Sequence, residues 1–385
     1  MSRKTRRSLI DPDQVTIAHV VAKTARNLFL LGVETQATDY DSHRKDWIVD
    51  ILEFQSSLMA IDLLDYCLLS NHIHQILRSR PDAVKEWTDE EVARRWLNLC
   101  PKSKKCLKVG DKVHRVPIPP KETQIQALAN NEKKIKEIRE RLSSISWWMR
   151  LLCQKVAQRA NFEDGGSMGP FWKGRFHSTI IEDTDHLLGC ALYVDLNAVK
   201  ASMARGIDDY KYTSAKVRLD RLRSTEEALQ KQEVLKADSV LVVDSPGDVS
   251  SAEGCQAKEE KGGDDESGFI PGRSKGEFLS AIKLESMADD PQLHDRGFRC
   301  SDKGFLEYSE REYFDALEWC IRNKITERES TDKLPGDIPE CIQKHRFGPK
   351  LVIRQAKEFD QMYRYRTCNE PDASGLLESG EDSVE

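Results

Sequence analysis

The chain has 385 residues, 39% hydrophobic and 32% charged, with a mean hydropathy of −0.60. That length allows one large domain with appendages or two to three ordinary domains, and it excludes a disulfide mini-protein. No run of eighteen apolar residues occurs, so no helical membrane span is expected. The net charge of −6 conceals a division: residues 1–223 hold 37 Lys+Arg against 29 Asp+Glu, a balance of +8, and the remainder carries −14. Attraction to phosphate depends on the local field, so the first part stays a candidate for nucleic acid. The ten cysteines include no Cys-x-x-Cys pair and are expected to be reduced, mostly buried thiols. Residues 1–13 are expected to be a flexible basic terminus, with Arg3, Lys4, Arg6 and Arg7 adding at most nonspecific affinity. Asp11-Pro12-Asp13 stands where a secretory signal would be apolar, so a cytoplasmic location is expected.

In chain order, the β-branched residues 15–21 predict a first strand, and a helix follows from Ser42 to Ser57. Met59–Leu69 and Asn71–Leu77 flank the turn signal Ser70-Asn71 and predict two adjacent strands. Thr88 with Glu91 three positions on is a capping-box pattern opening a helix over 88–99. Between Pro101 and Pro120, Lys102, Lys104, Lys105, Lys108, Lys112 and Arg115 predict a basic surface loop, either touching phosphates or merely solvated. Residues 121–160 predict a long helical tract broken near Ser143-Ser144. Residues 174–181 predict a strand, and a helix from Thr184 to about Ala204 ends at Gly206. From Ser224 the pattern weakens. Residues 224–274 are expected to be an acidic disordered linker, 275–366 a small helical module, and 367–385 an acidic disordered tail.

Two local features could carry chemistry. A strand alternates faces, so His72 and His74 in Asn71-His72-Ile73-His74 point to one side, where two imidazoles can share a metal; the competing reading is a strand edge with incidental histidines. On the later helix Tyr193 and Asn197 are four apart and share a face, a nucleophile beside a ligand or else a core tyrosine with a polar neighbour. Asp195 faces elsewhere on that helix, and Asn71 suits a turn or a support for the histidines.

Three ordered motifs together resemble one family. Tyr66–Leu77 resembles its strand bearing the His-hydrophobe-His motif, Phe171–His177 its aromatic and basic hairpin segment, and Tyr193–Ala201 its tyrosine helix. The family is the single-tyrosine HUH transposases of insertion sequences, including the repeat-associated tyrosine transposases. The likeness spans roughly residues 14–215, or 14–223 as a domain, interrupted by a basic and helical insertion at about 80–145. Ala198 stands where the family often has proline, and Ser202 where glycine is common.

The resemblance implies an α+β fold, a small antiparallel sheet with helices packed on its face. It implies that His72, His74 and Asn197 hold Mg²⁺ or Mn²⁺ and that Tyr193 is the nucleophile in metal-assisted cleavage and strand transfer of single-stranded, hairpin or repeat DNA. Lys173, Arg175, His177 and Trp172 are candidates for DNA contact by phosphate pairing and base stacking, against a reading in which this segment is a core hairpin. A homodimer and no membrane partner fit the same picture. The alternative is a host-adopted, catalytically silent nucleic-acid-binding protein on the same scaffold; a structural zinc protein is disfavoured by the lack of paired cysteines.

Overall fold

The computed structural model describes residues 11–32, 43–109, 112–166, 169–240, 276–284, 293–294, 297–327 and 334–363. A four-stranded antiparallel sheet lies at its centre, in the order β2-β3-β1-β6, built from β1 (Ile17–Lys23), β2 (Ile61–Leu68), β3 (His72–Ser79) and β6 (His177–Ile181). Helix α1 (His43–Leu58) precedes β2. Between β3 and β6 come α2 (Pro81–Glu86), α3 (Asp89–Leu99), a hairpin of β4 (Lys104–Val109) and β5 (Lys112–Pro117), α4 (Glu122–Ala129), α5 (Glu132–Leu142) and α6 (Ile145–Glu163). After β6 follow α7 (Leu187–Lys200), α8 (Ser214–Val240), α9 (Glu310–Arg322), α10 (Glu340–Gln343) and α11 (Gly348–Met362). The fold is α+β, as expected.

Register assigns the faces. His74 lies opposite Val21 and Cys67, His72 opposite Lys23, and Ile76 opposite His19, so directly paired residues put all of these on one side. Helix α7 covers that side. The other side carries Gln75, whose amide oxygen accepts the Trp148 indole N–H of α6 at 2.8 Å, and α1 joins α6 there through Gln55, which donates to the Trp148 carbonyl at 3.1 Å. Helices therefore flank both faces, and β2 and β3 are buried along almost their whole length.

The C-terminal residues expected to form a separate module instead finish this core. Ser280 donates to the Leu63 carbonyl, Arg78 at the end of β3 donates to the Gly304 carbonyl, and α11 lies along α7. One continuous apolar cluster runs from Ile17 to Tyr363. Other expectations are corrected in detail. The basic loop at 101–120 is the β4–β5 hairpin. Residues 224–240 continue α8 rather than opening a linker, and the rest of the linker, like the tail, lies outside the described residues. Residues 276–284 form a turn and bridges, with Gly276 at φ +89°, not a helix. The strand foreseen over 174–181 begins only at His177, and α7 ends at Lys200 with Gly206 in extended backbone.

No helix among the described residues is long and apolar enough to cross a membrane.

Candidate active site

Four rings from three elements meet between the sheet and α7. The Tyr193 ring lies 5.7 Å from that of His74 and 5.8 Å from that of His19, both edge-on, and the His72 and His74 rings are 4.9 Å apart. His19 and His74 stack at 5.2 Å with His19 Nε2 3.0 Å from His74 Nδ1. His72 sits half-buried at the opening, beside the Ser70-Asn71 turn, while His74 and His19 lie behind it with almost no exposure.

Hydrogen-bond logic fixes which nitrogens are bare. His72 Nδ1 donates to Asn71 Oδ1 at 2.6 Å, which leaves the lone pair on Nε2. Asp360 of α11 stands 4.0 Å from His19 Nδ1, beyond hydrogen-bond reach but close enough to favour a proton on that nitrogen. His19 Nε2 then accepts from His74 Nδ1, and His74 Nε2, buried and without a partner, carries a lone pair. Burial pushes the pKa of His72 and of His19 down to about 4, with Lys23 adding to the fall at His72 and Asp360 opposing it at His19. The imidazoles are neutral at pH 7, the state a metal requires.

Asn197 donates its side-chain amide to the Tyr193 carbonyl one turn back, at 2.7 Å, which leaves Oδ1 for a further partner. Two bare imidazole nitrogens and an amide oxygen suit a divalent ion of the Mn²⁺ or transition type at least as well as Mg²⁺. Among the described residues no cluster of three or more His, Cys, Asp and Glu side chains is arranged to hold a metal, so any such ion would depend on Asn197.

Tyr193 itself is only 6% exposed. Burial raises its pKa, Asp360 raises it further, and the Asn197 side chain acts in the opposite direction. Phe359, beside Asp360, packs on both His19 and Tyr193, with ring centroids 5.8 and 6.2 Å away. The helix carrying them kinks at Glu358, whose φ and ψ are −139° and 29°. Neither His19 nor Asp360 was singled out from the sequence. A histidine midway along an apolar strand was the available signal for the first; nothing local marked the second.

Asp195 turns away from the site into a buried network, accepting from Ser214 Oγ at 3.1 Å, the Ala215 N–H at 3.2 Å and Tyr313 Oη at 2.7 Å. It fixes the start of α8 and draws α9 onto α7.

The aromatic and basic segment divides its residues. Phe171 and Phe176 are buried, and Trp172 is half-buried with its indole N–H donated to the Cys153 carbonyl at 2.8 Å. His177 pairs opposite Val21 in β6, on the face that α7 covers. Lys173 and Arg175 are exposed at the edge of the sheet, where Gly174 makes the turn at φ +133°. The core-hairpin reading thus describes the rings, and the two cations remain open to an anionic partner.

No family model and no curated protein matches the chain. A solved structure of a REP-associated tyrosine transposase bound to a REP hairpin is similar over 52% of this chain and 76% of its own, at 12% identity and a TM-score of 0.28. A likeness this loose leaves the functional argument to the geometry of the site.

Proposed function

We propose that the chain is a tyrosine nuclease and strand transferase acting on single-stranded or hairpin DNA, held closed in this structure by α11. The observation that carries the reading is the meeting of the Tyr193 ring with His74 and His19 across the sheet–helix interface, beside a third histidine, His72, and an i+4 asparagine. In the cleavage step Tyr193 Oη forms a bond to the scissile phosphorus as the P–O3′ bond breaks, and the phenolic proton ends on the released 3′-hydroxyl by way of solvent. The 5′-phosphotyrosine retains the phosphodiester's energy, so attack by a 3′-hydroxyl restores the phenol and joins the strands without an external energy source. A divalent ion held by His72, His74 and Asn197 would, when bound, polarise that phosphate and offset its developing charge.

This chain's own residues set the conditions. Asp360, His19 and Asn71 hold the two ligand imidazoles in the tautomers that expose their Nε2 atoms. Phe359 and Asp360 keep the phenol covered and protonated. A strand reaches Tyr193 only when α11 swings aside, and that movement also removes burial and a negative charge from the nucleophile, lowering its pKa. Lys173 and Arg175 lie ready for the flanking phosphates.

The burial of Tyr193 also favours a second reading, a nucleic-acid-binding protein whose catalytic site stays shut. Labelled hairpin DNA incubated with the protein and Mn²⁺ separates the two. The nuclease yields a covalent adduct that survives denaturant, is abolished in Tyr193→Phe and is several-fold more abundant in Phe359→Ala. Binding without adduct in both wild type and Phe359→Ala, across Mg²⁺, Mn²⁺ and Zn²⁺, would put the silent binding protein in its place.

A further inference from the structure

A cleft of about 1030 Å³ lies beside the edge strand β2 and shares no residue with the site at Tyr193. Helix α1 lines it with Asp46, Val49, Asp50 and Glu53, which are spaced i, i+3, i+4 and i+7 and so form one stripe of that helix. The first turns of α8 add Val217, Asp220 and Arg221, and the turn at 276–278 adds Phe278.

These walls are tied to one another. Gly276 packs so closely on α8 that a β-carbon there would stand 2.4 Å from Val217 Cγ1. Ser280 donates its N–H to the Leu63 carbonyl at 3.1 Å, and the buried Arg218 of α8 donates to the Ser280 carbonyl at 3.2 Å. Lys211 and the Tyr212 hydroxyl reach Asp46 of α1 at 3.3 and 3.1 Å. The cleft is therefore formed before any ligand arrives, as small-molecule sites usually are.

Its chemistry changes from floor to rim. Tyr66 of β2 lines the floor, buried, and its hydroxyl has no hydrogen-bond partner among the described residues. A buried hydroxyl left in that state costs the fold, and a ligand that hydrogen-bonds to it recovers the loss. The Tyr66 ring lies 6.3 Å from that of Phe278 and nearly parallel to it, and Val49, Val217 and Tyr212 extend this apolar middle. The rim carries three carboxylates of α1 with Asp220 and Glu277, five in all, against Lys211 and Arg221, a balance of −3; Arg221 is also paired with Glu310 of α9. An anion is repelled by such a rim, and a neutral molecule makes no use of it.

We propose that the cleft binds a small aromatic amine: a flat apolar body with a hydrogen-bonding group for Tyr66 Oη at one end and an ammonium for the carboxylates at the other. The volume lies at the upper end of the range for drug-sized ligands, and the rings favour a cation held near their faces. The site stands whether or not Tyr193 cuts DNA.

Calorimetric titration of the full chain tests it, with tryptamine as the probe and indole-3-acetate, the same ring with the opposite charge, as its counterpart. Tryptamine is expected to bind at a single site and at least about tenfold more tightly than indole-3-acetate. Tyr66→Phe should weaken tryptamine about three- to tenfold, the worth of one hydrogen bond, while unfolding in no less urea than wild type, because the hydroxyl it removes has no partner in the free protein. Val49→Trp fills the cleft and should abolish measurable binding. Asp50→Asn with Asp220→Asn, one carboxylate from each helix, should narrow the gap between the two probes. Tyr193→Phe should bind tryptamine like wild type, so failure of the nuclease reading and failure of this site are distinguishable. The assignment is overturned if tryptamine does not bind, if indole-3-acetate binds as tightly, or if either Tyr66→Phe or Val49→Trp binds tryptamine like wild type.

Discussion

The two faces of the central sheet treat ionisable groups in opposite ways. Under α7, His19, His74 and Tyr193 are stripped of water, and the histidines become neutral lone-pair donors. Over α6, Arg150 and Arg159 stay exposed, each stacked on an indole ring. Burial selects the uncharged form and prepares groups for coordination or covalent chemistry, whereas stacking at a solvated surface preserves charge and prepares groups for long-range attraction. One sheet can thus hold a reaction centre and an electrostatic surface without either field overwhelming the other.

The sharpest way to break this comparison is to remove a charge from each face. At the end of the buried face, Asp62 accepts from Arg78 Nε at 2.8 Å, from Arg80 Nη1 at 3.0 Å and from Ser301 Oγ at 2.9 Å, all nearly inaccessible. Asp62→Ala leaves the buried Arg78 guanidinium without its anion and Arg80 with Asp82 alone, and should cost about 3–5 kcal/mol in urea unfolding. Glu137→Ala on the other side removes the partner of a half-exposed Arg141 and should cost less than about 1 kcal/mol. Equal losses would mean that the faces do not differ in the way their charges are solvated.

Acid should separate them next. His19 and His72 have folded pKa values near 4 against an ordinary 6.5, so below pH 6.5 the unfolded chain binds more protons. Their stabilising contribution is fully present above pH 6.5 and lost as pH falls towards 4, by at most about 1.4 kcal/mol per pH unit for each ring. Lys155, lowered by burial from 10.5 to about 8, acts at the other end: stability should rise with pH from 8 to 10.5. Thermal melts of wild type, His19→Gln and Lys155→Gln across pH 4–10 check the assignment. His19→Gln should flatten the acid limb alone, and Lys155→Gln the alkaline limb alone.

How much of this was legible in the sequence follows from the range of the forces involved. The strands at 61–68 and 72–79 and the shared side of His72 and His74 come from local alternation, and Thr88 accepts from the Glu91 N–H as its spacing suggested. The β4–β5 hairpin was hidden because lysine and proline dilute its strand pattern, and α8 because charged and amide residues break up the apolar spacing of its outer half. His19 entered the site through the register of β1 against β3, a pairing of residues 55 apart in sequence. Asp360 needed the packing of α11 along α7 and a kink at Glu358. Neither pairing has a local signature. The basic insertion was visible as charge, but its rings come from three separate helices and only folding sets them beneath the cations.

The smallest expected effect lies at the end of the tyrosine helix and tests whether that helix, unlike α6, carries a local backbone penalty. Ser202 sits just past α7 at φ +57°, with its N–H donated to the Val199 carbonyl and that of Met203 to the Ala198 carbonyl, both at 2.9 Å. This is the left-handed helix cap that glycine normally fills, and a side chain there carries a conformational penalty. Ser202→Gly relieves it while raising the unfolded-state entropy, so a net gain of about 0.5–1 kcal/mol in urea unfolding is expected, with DNA adduct formation unchanged. Ser202→Ala keeps the β-carbon and should show no gain. If alanine stabilises as much as glycine, the penalty lies in the serine hydroxyl and not in the backbone, and α7 closes under no more strain than α6.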